Sequence, residues 1–142
     1  MNTIRQILAD KGSEIWAVAS NQTVFEAVQL MAIRRIGALL VMDDQKLTGI
    51  VSERDYAREV ILQGRSSKDT PVSDIMTTDI ITITPESRIE ESLSLMTEHR
   101  VRHLPVLEQD QVVGVVSIGD LVKEIIKEQQ STIEQLENYI KG

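Results

Sequence analysis

Leu47-Thr-Gly-Ile-Val-Ser-Glu-Arg-Asp55 and Val112-Val-Gly-Val-Val-Ser-Ile-Gly-Asp120 follow one pattern: an apolar run holding a glycine, closed by Ser-x-x-Asp. Working outward at the same offset of 65 residues, Ile36-Gly-Ala-Leu-Leu-Val-Met-Asp43 matches Val101-Arg-His-Leu-Pro-Val-Leu-Glu108. The register runs without a gap from Ile15/Ile80 to Ala57/Val122. Glu26/Glu91, Leu30/Leu95, Met31/Met96, Arg35/Arg100, Leu39/Leu104, Val41/Val106, Gly49/Gly114, Val51/Val116, Ser52/Ser117 and Asp55/Asp120 are identical within it. An internal repeat therefore sets the fold. Most shared positions are apolar, as a repeated core demands. Ser and Asp are not, and function is sought there.

At 142 residues the chain is one compact unit of ordinary size or two small halves. Each half alone is marginal, so the copies are expected to share a core. Hydrophobic content of 42% and charged content of 26% are those of a soluble globular protein, and aromatics at 3% leave the core to Ile, Leu, Val and Met. Fifteen basic against 22 acidic residues give a net charge of −7. That balance argues against nucleic acid as the main partner while leaving room for a local basic pocket. Without cysteine there is no disulfide, thiolate catalysis or Cys-based metal site, and two His without a carboxylate–His cluster argue against zinc. No apolar run approaches the roughly 20 residues of a membrane helix. The start, Met-Asn-Thr-Ile-Arg-Gln-Ile-Leu, lacks a signal-peptide core. The expectation is a cytoplasmic protein with no membrane partner.

Local patterns predict a short helix over residues 3–9, stopped near Lys11-Gly12, and a brief extended run at Ile15–Val18. Ser20-Asn-Gln-Thr23 offers N-cap chemistry to a helix with Val24, Ala27, Val28, Met31 and Ala32 on one face, broken at Gly37. Ala38–Met42 and Leu47–Val51 read as strands joined by the polar turn 43–46, and a helix runs from Ser52 to about Gly64. Gln63–Thr70 is linker-like, and Val72–Met76 is a turn or short helix. The second copy predicts a strand at Ile80–Ile83, a helix from Pro85 to about Glu98, strands at His103–Leu107 and Val112–Val116, and a helix from Ser117 onward. Each repeat is β-α-β-β-α, and the fold class is α/β, an α+β sandwich. The expected division is residues 1–64 as repeat one with the N-terminal helix, 65–74 as linker, 75–128 as repeat two and 129–142 as a helical extension. Leu121, Val122, Ile125, Ile126, Ile133, Leu136 and Ile140 recur at helical spacing. Such a stripe is expected to form a dimer, the alternative being that it folds back on its own domain.

Ser at a helix N-cap and Asp in the first turn are ordinary structural choices. Unpaired N–H groups at a helix start also favour anions, and a first-turn carboxylate accepts hydrogen bonds from a ribose diol. Two identical endings favour the ligand reading. Arg34-Arg35 and His99-Arg100 close helices whose carbonyl ends attract cations, and Met31, Met42, Met76 and Met96 read as packing. No nucleophile–base pair, metal constellation or Walker-type loop is present, so the chain is not expected to be an enzyme.

From about Lys11 to Ile126 the repeated unit resembles the CBS domain, named for cystathionine β-synthase, and the tandem resembles a CBS pair, or Bateman module. The resemblance implies a sandwich of parallel sheet and helices, two clefts related by a pseudo-two-fold, and a disk-like homodimer. It also implies adenine nucleotides as ligands, AMP first and then ADP or ATP. The Asp120 cleft would use Val115, Ser117, Gly119 and Asp120, with Arg102 and His103 at the phosphate end and Trp16, Ile36 and Gly37 flanking the base. The Asp55 cleft would use Ile50, Ser52, Arg54 and Asp55, with Gly37 and Ala38 at the phosphate positions and Ile81, Val101 and Arg102 from copy two. Phosphate is expected to prefer the Asp120 cleft, whose Arg102 is a cation and whose His103 becomes one on protonation. His103 and Trp16 also fit purely structural roles, and Lys11-Gly12 sits near the expected cleft entrance. With no catalytic domain attached, the implied function is a nucleotide sensor acting on a protein target in trans. The alternatives are an NAD(H)-binding redox sensor and a scaffold without ligand.

Overall fold

A computed structural model describes residues 3–141. The chain forms two compact units, one of Glu14–Ile81 and one joining the residues up to Ser13 with those from Thr82 onward.

In the Glu14–Ile81 unit, β1 (Ala17–Val18) runs parallel to β2 (Ala38–Asp43), which pairs antiparallel with β3 (Lys46–Ser52). Only the β1–β2 pair is parallel, so the sheet is mixed. The helix α2 (Val24–Arg34) starts in a capping box: Thr23 Oγ1 accepts the Glu26 N–H at 3.2 Å, and Glu26 Oε1 accepts the Thr23 N–H at 3.3 Å. It ends earlier than the sequence suggests. Arg35, not Gly37, is left-handed at φ 56°, and the Ile36 amide returns to the Met31 carbonyl at 3.1 Å. One face of α2 (Val24, Ala27, Met31) is buried with Leu39, Val41 and Val51 of the strands and Val60, Val72 and Ile75 beyond them. Full burial of each such aliphatic side chain is worth about 1.5–3 kcal/mol. The helix after β3 has two parts, α3 (Glu53–Tyr56) and a π-helical turn at Ala57–Ile61. A 3-10 turn at Val72–Asp74 follows.

The other unit holds α1 (Ile4–Lys11), α4 (Ile89–His99), β4 (His103–Glu108), β5 (Gln111–Ser117) and α5 (Ile118–Lys141). Its hairpin copies the first one. Ala38↔Ser52 and His103↔Ser117 open the two registers, and both slip one step later on, at Val41/Met42 and Val106/Leu107. Both turns have two positive-φ residues, Asp44-Gln45 and Gln109-Asp110, the twist that suits a two-residue hairpin. Arg100 at φ 55° ends α4 as Arg35 ends α2. The strand expected at Ile80–Ile83 reduces to a single bridge between Ile83 and Val106, and α4 starts at Ile89, not Pro85, behind a turn in which the Ser87 amide donates to the Thr84 carbonyl.

The compact units are offset from the repeats as read in sequence. α1, grouped with repeat one, packs in the unit of repeat two. Ile4 and Ile7 are buried, the Ile4 and Arg5 amides donate to the Ser87 and Pro85 carbonyls, and Arg5 pairs with Glu86 at 2.6 Å. Residues 65–81, read as linker and the start of repeat two, belong with repeat one. There the Val72 amide donates to the Gln22 carbonyl, and Thr77 exchanges both backbone hydrogen bonds with Ile50. These pairings join residues distant in sequence, which periodicity does not register.

Helix α5 continues to Lys141; Leu121 at its start is buried, and the rest of its apolar stripe stays open. Val122, Ile126, Ile133, Leu136 and Ile140 are 43–82% exposed, so the stripe does not fold back among the described residues.

Glycines 49 and 114 occupy equivalent β3 and β5 positions, each under a segment from outside the hairpin. A Cβ on Gly49 would lie 2.7 Å from Met76 Sδ and 3.1 Å from the Thr77 carbonyl oxygen, which the Ile50 pairing holds in place. On Gly114 its three nearest atoms would all belong to the Leu8 side chain, the closest at 2.6 Å. Gly49→Ala should cost about 1–3 kcal/mol, and Gly114→Ala distinctly less because Leu8 can rotate away. Urea unfolding of both variants measures the difference.

Candidate functional site

The site is built where a strand hands its chain to a helix. At the end of β5, Ser117 is the last strand residue and Asp120 lies in the first turn of α5. The Ser117 amide donates to Asp120 Oδ2 at 2.8 Å, and the Asp120 amide donates to Ser117 Oγ at 3.2 Å. At the end of β3 the same exchange joins Ser52 and Asp55, at 2.9 and 3.2 Å, with Ser52 Oγ also donating to Asp55 Oδ2 at 3.0 Å. Both ends are capping boxes with an Asp where Glu is usual. The structural reading of Ser-x-x-Asp is thus realised in both copies. It also pins each carboxylate in one orientation at a helix start.

A second segment is fixed to each end through the start of the preceding strand. The Ile118 amide donates to the Arg102 carbonyl at 2.9 Å, and the Glu53 amide to the Gly37 carbonyl at 3.0 Å. Register then sets His103 opposite Ser117 and Ala38 opposite Ser52. In one unit the structure therefore brings Arg102, His103, Val115, Ser117, Gly119 and Asp120 to a common end. In the other it assembles Gly37, Ala38, Ile50, Ser52, Arg54 and Asp55 in the same way. Arg102 is exposed and His103 partly buried.

The remaining candidates are divided between the two units. Trp16, Ile36 and Gly37, assigned from sequence to the Asp120 cleft, belong to the Glu14–Ile81 unit. There Trp16 packs against the aliphatic core and carries the Arg34 guanidinium 4.0 Å from its ring centroid, a cation–π contact. Ile81 closes that same unit, while Val101, assigned to the Asp55 cleft, lies in the unit of Asp120.

Electrostatics separate the two ends. Burial is the largest influence on Asp55 and raises its carboxyl above the ordinary aspartate range; the Ser52 hydrogen bonds and the Arg58 charge offset it only in part. Burial acts the same way on Asp120 but is outweighed. Hydrogen bonds from Lys11 and Ser117 and the Lys11 charge lower its carboxyl below that range. Lys11 Nζ lies 2.8 Å from Asp120 Oδ2 and 2.9 Å from the Val115 carbonyl oxygen. Sequence reading noted Lys11 only as a neighbour of the entrance. Its role depends on α1 docking against β5, for which the sequence has no local signal.

Opposite shifts produce opposite pH dependences. Between the ordinary value and its raised one, folded Asp55 keeps a proton that the unfolded chain has released, so its contribution to stability falls as pH rises through that window. The contribution of Asp120 is fully present above the ordinary value and is lost as pH falls through its lowered one. Carboxyl-carbon NMR titration should place Asp55 above and Asp120 below the aspartate norm. At pH 7, Asp120→Asn should cost about 1 kcal/mol in urea unfolding, and Asp55→Asn should cost less or stabilise.

Comparison with known proteins agrees with this duplicated architecture. The CBS domain family matches residues 6–62 and 72–127. The chain is 41% identical to the CBS domain-containing protein CBSX3, mitochondrial, of Arabidopsis thaliana, covering 99% of this chain and 72% of that protein. Among solved structures, a protein with CBS domains from Burkholderia ambifaria MC40-6, named for signal transduction, is 50% identical with a TM-score of 0.87, covering 90% of this chain and 96% of that one. The CBS pair of MJ0100, solved with 5′-methylthioadenosine and S-adenosyl-L-methionine, shares the fold at 22% identity with a TM-score of 0.80, covering 90% and 98%. The chain belongs to the CBS-domain family and carries two CBS domains in tandem.

Proposed function

We propose that this CBS pair is a regulatory module that binds adenine nucleotides, AMP foremost and also ADP or ATP, and acts on a protein partner in trans. One observation carries the reading: a single end of one unit joins the Asp120 carboxylate, at the start of a 24-residue helix, to His103 at the start of the adjoining strand and to Arg102 just before it. A carboxylate suits a ribose diol, while a guanidinium, an imidazole donor and a helix start suit a phosphate. The Asp55 end offers Gly37 and Ala38 at the corresponding positions and so fits a phosphate less well. The adenosine compounds held by MJ0100 make nucleosides sensible probes but bear on this chain through the fold alone. No catalytic step is assigned to the chain. Sensing in trans needs different affinities for the nucleotide in two conformations.

Isothermal titration of nucleotide-stripped protein with AMP, ADP, ATP, NAD, NADH and 5′-methylthioadenosine tests the reading. Micromolar binding of an adenine nucleotide is expected, with Asp120→Ala abolishing the tighter component and Asp55→Ala sparing it. Tightest binding of NAD or NADH would favour a redox sensor. Silence with all six would leave the Ser-x-x-Asp ends as helix caps on a scaffold.

The partner we assign to α5 is a second copy of the chain. Val122, Ile126, Gln129, Ile133, Leu136 and Ile140 fall at alternating steps of four and three, the seam of a coiled coil, with one polar residue of the kind that fixes register. Ile133→Lys at the centre of that seam should convert a dimer to a monomer. Light scattering on the eluting protein reads the mass, and an unchanged dimer would move the interface away from α5.

A further inference from the structure

The two Ser-x-x-Asp ends share a backbone and a capping box, but a different group has been placed on each. At the Asp120 end, Lys11 Nζ occupies two acceptors at once, Asp120 Oδ2 and the Val115 carbonyl. These are the carboxylate that would take a ribose hydroxyl and the carbonyl of a strand residue that the family resemblance puts in the same cleft. At the Asp55 end the position 65 residues on from Lys11 is Met76, whose thioether lies over Gly49 and carries no charge. The Ile50 carbonyl, which corresponds to that of Val115, is taken by the Thr77 main-chain amide at 2.8 Å. Arg58 acts on Asp55 through its charge, and no cation among the described residues donates a hydrogen bond to that carboxylate.

We infer that Lys11 is a tethered competitor that sets the ligand preference of the Asp120 end, its ammonium standing where a ribose hydroxyl would donate and leaving when a nucleoside binds. This rests on the nucleotide reading above and adds the residue that tunes it. The tether is short and firm. Ile4 and Ile7 of α1 are buried, and its first turn is tied by main-chain hydrogen bonds to Ser87 and Pro85. The Lys11 Cα is thereby held beside β5 while its flexible stem lets the ammonium leave, a high local concentration of a weak ligand. The pair is open enough to exchange, with the side chains of Lys11 and Asp120 38% and 25% exposed. Exposed ion pairs of this kind are weak and screened by salt. The competitor is therefore one that a nucleoside can displace. The Thr77–Ile50 pairing is part of the backbone and is not displaceable in the same sense.

Adenosine is the clean probe, because it has the diol and no phosphate for a released ammonium to pair with. Lys11→Met should bind adenosine about two- to five-fold more tightly than the wild type at low salt, and Lys11→Arg should resemble the wild type. The gain should shrink as ionic strength rises. Independently, adenosine should speed reductive methylation of Lys11 in the wild-type protein, and Asp120→Asn should do so without ligand. Thermal melts confirm that the variants are folded. Binding that Lys11→Met leaves unchanged or weakens, or methylation that adenosine slows, overturns the inference and leaves the nucleotide reading intact. Failure of every adenine compound to bind both wild type and Lys11→Met overturns both.

Discussion

The reciprocal exchange between a serine and an aspartate three residues later is the interaction on which the rest of this molecule depends. Ser117 gives its amide to Asp120 and its hydroxyl oxygen accepts the Asp120 amide; Ser52 and Asp55 do the same. Orphan amides at a helix start must find acceptors, and here the first turn supplies its own. The exchange fixes the residue at which each strand becomes a helix. It also restrains the aspartate, so that the carboxylate is presented by packing and main-chain geometry before any ligand arrives. The same arrangement that caps the helix thus holds a carboxylate ready for the proposed ligand.

What surrounds the cap decides the charge it carries. Asp55 is dominated by burial, which favours the protonated acid, whereas Asp120 gains an ammonium at hydrogen-bond distance and stays ionised more readily. The copies share Ser, Asp and the strand register, and they diverge at positions 37–38 against 102–103 and at Met76 against Lys11. A common scaffold with different side chains at these few places gives two ends that differ in chemistry without differing in backbone. The handover differs further on as well, α3 relaxing into a π turn at Ala57–Ile61 where α5 continues unbroken.

Much of this was legible in the sequence because it is local or duplicated. The 65-residue register predicts both hairpins, and polar pairs at 44–45 and 109–110 mark the turns between them. Ser-x-x-Asp marks both helix starts. What local pattern does not register has physical causes of one kind. Gly37 is the obvious helix breaker, yet Arg35 adopts the left-handed conformation because the Ile36 amide can then close on the Met31 carbonyl. Ile80–Ile83 has strand composition but only Ile83 finds a partner, so no ladder forms. α1 is a helix by its own pattern, but which unit it packs in depends on burying Ile4 and Ile7 and on hydrogen bonds to residues 80 or more positions away. Lys11 was seen as an entrance neighbour; its pairing with Asp120 spans 109 residues and has no periodic signature.

Those non-local segments bear on how a duplicated fold comes to have two chemically different ends. Each hairpin is covered at its central glycine by a segment from outside itself: Leu8 lies over Gly114, and Met76 over Gly49. Absence of a side chain at both glycines permits this close approach, and it constrains the hairpins to stay alike. The covering segments carry no such constraint, since α1 meets its strand through side chains and residues 76–77 meet theirs partly through the backbone. A lysine at the end of α1 changes the charge on one carboxylate while leaving the cap, the register and the core untouched. Divergence between the two ends is therefore cheapest in the segments that lead into the repeats. Lys11, outside both Ser-x-x-Asp signatures, sets the charge environment of the Asp120 carboxylate from such a segment.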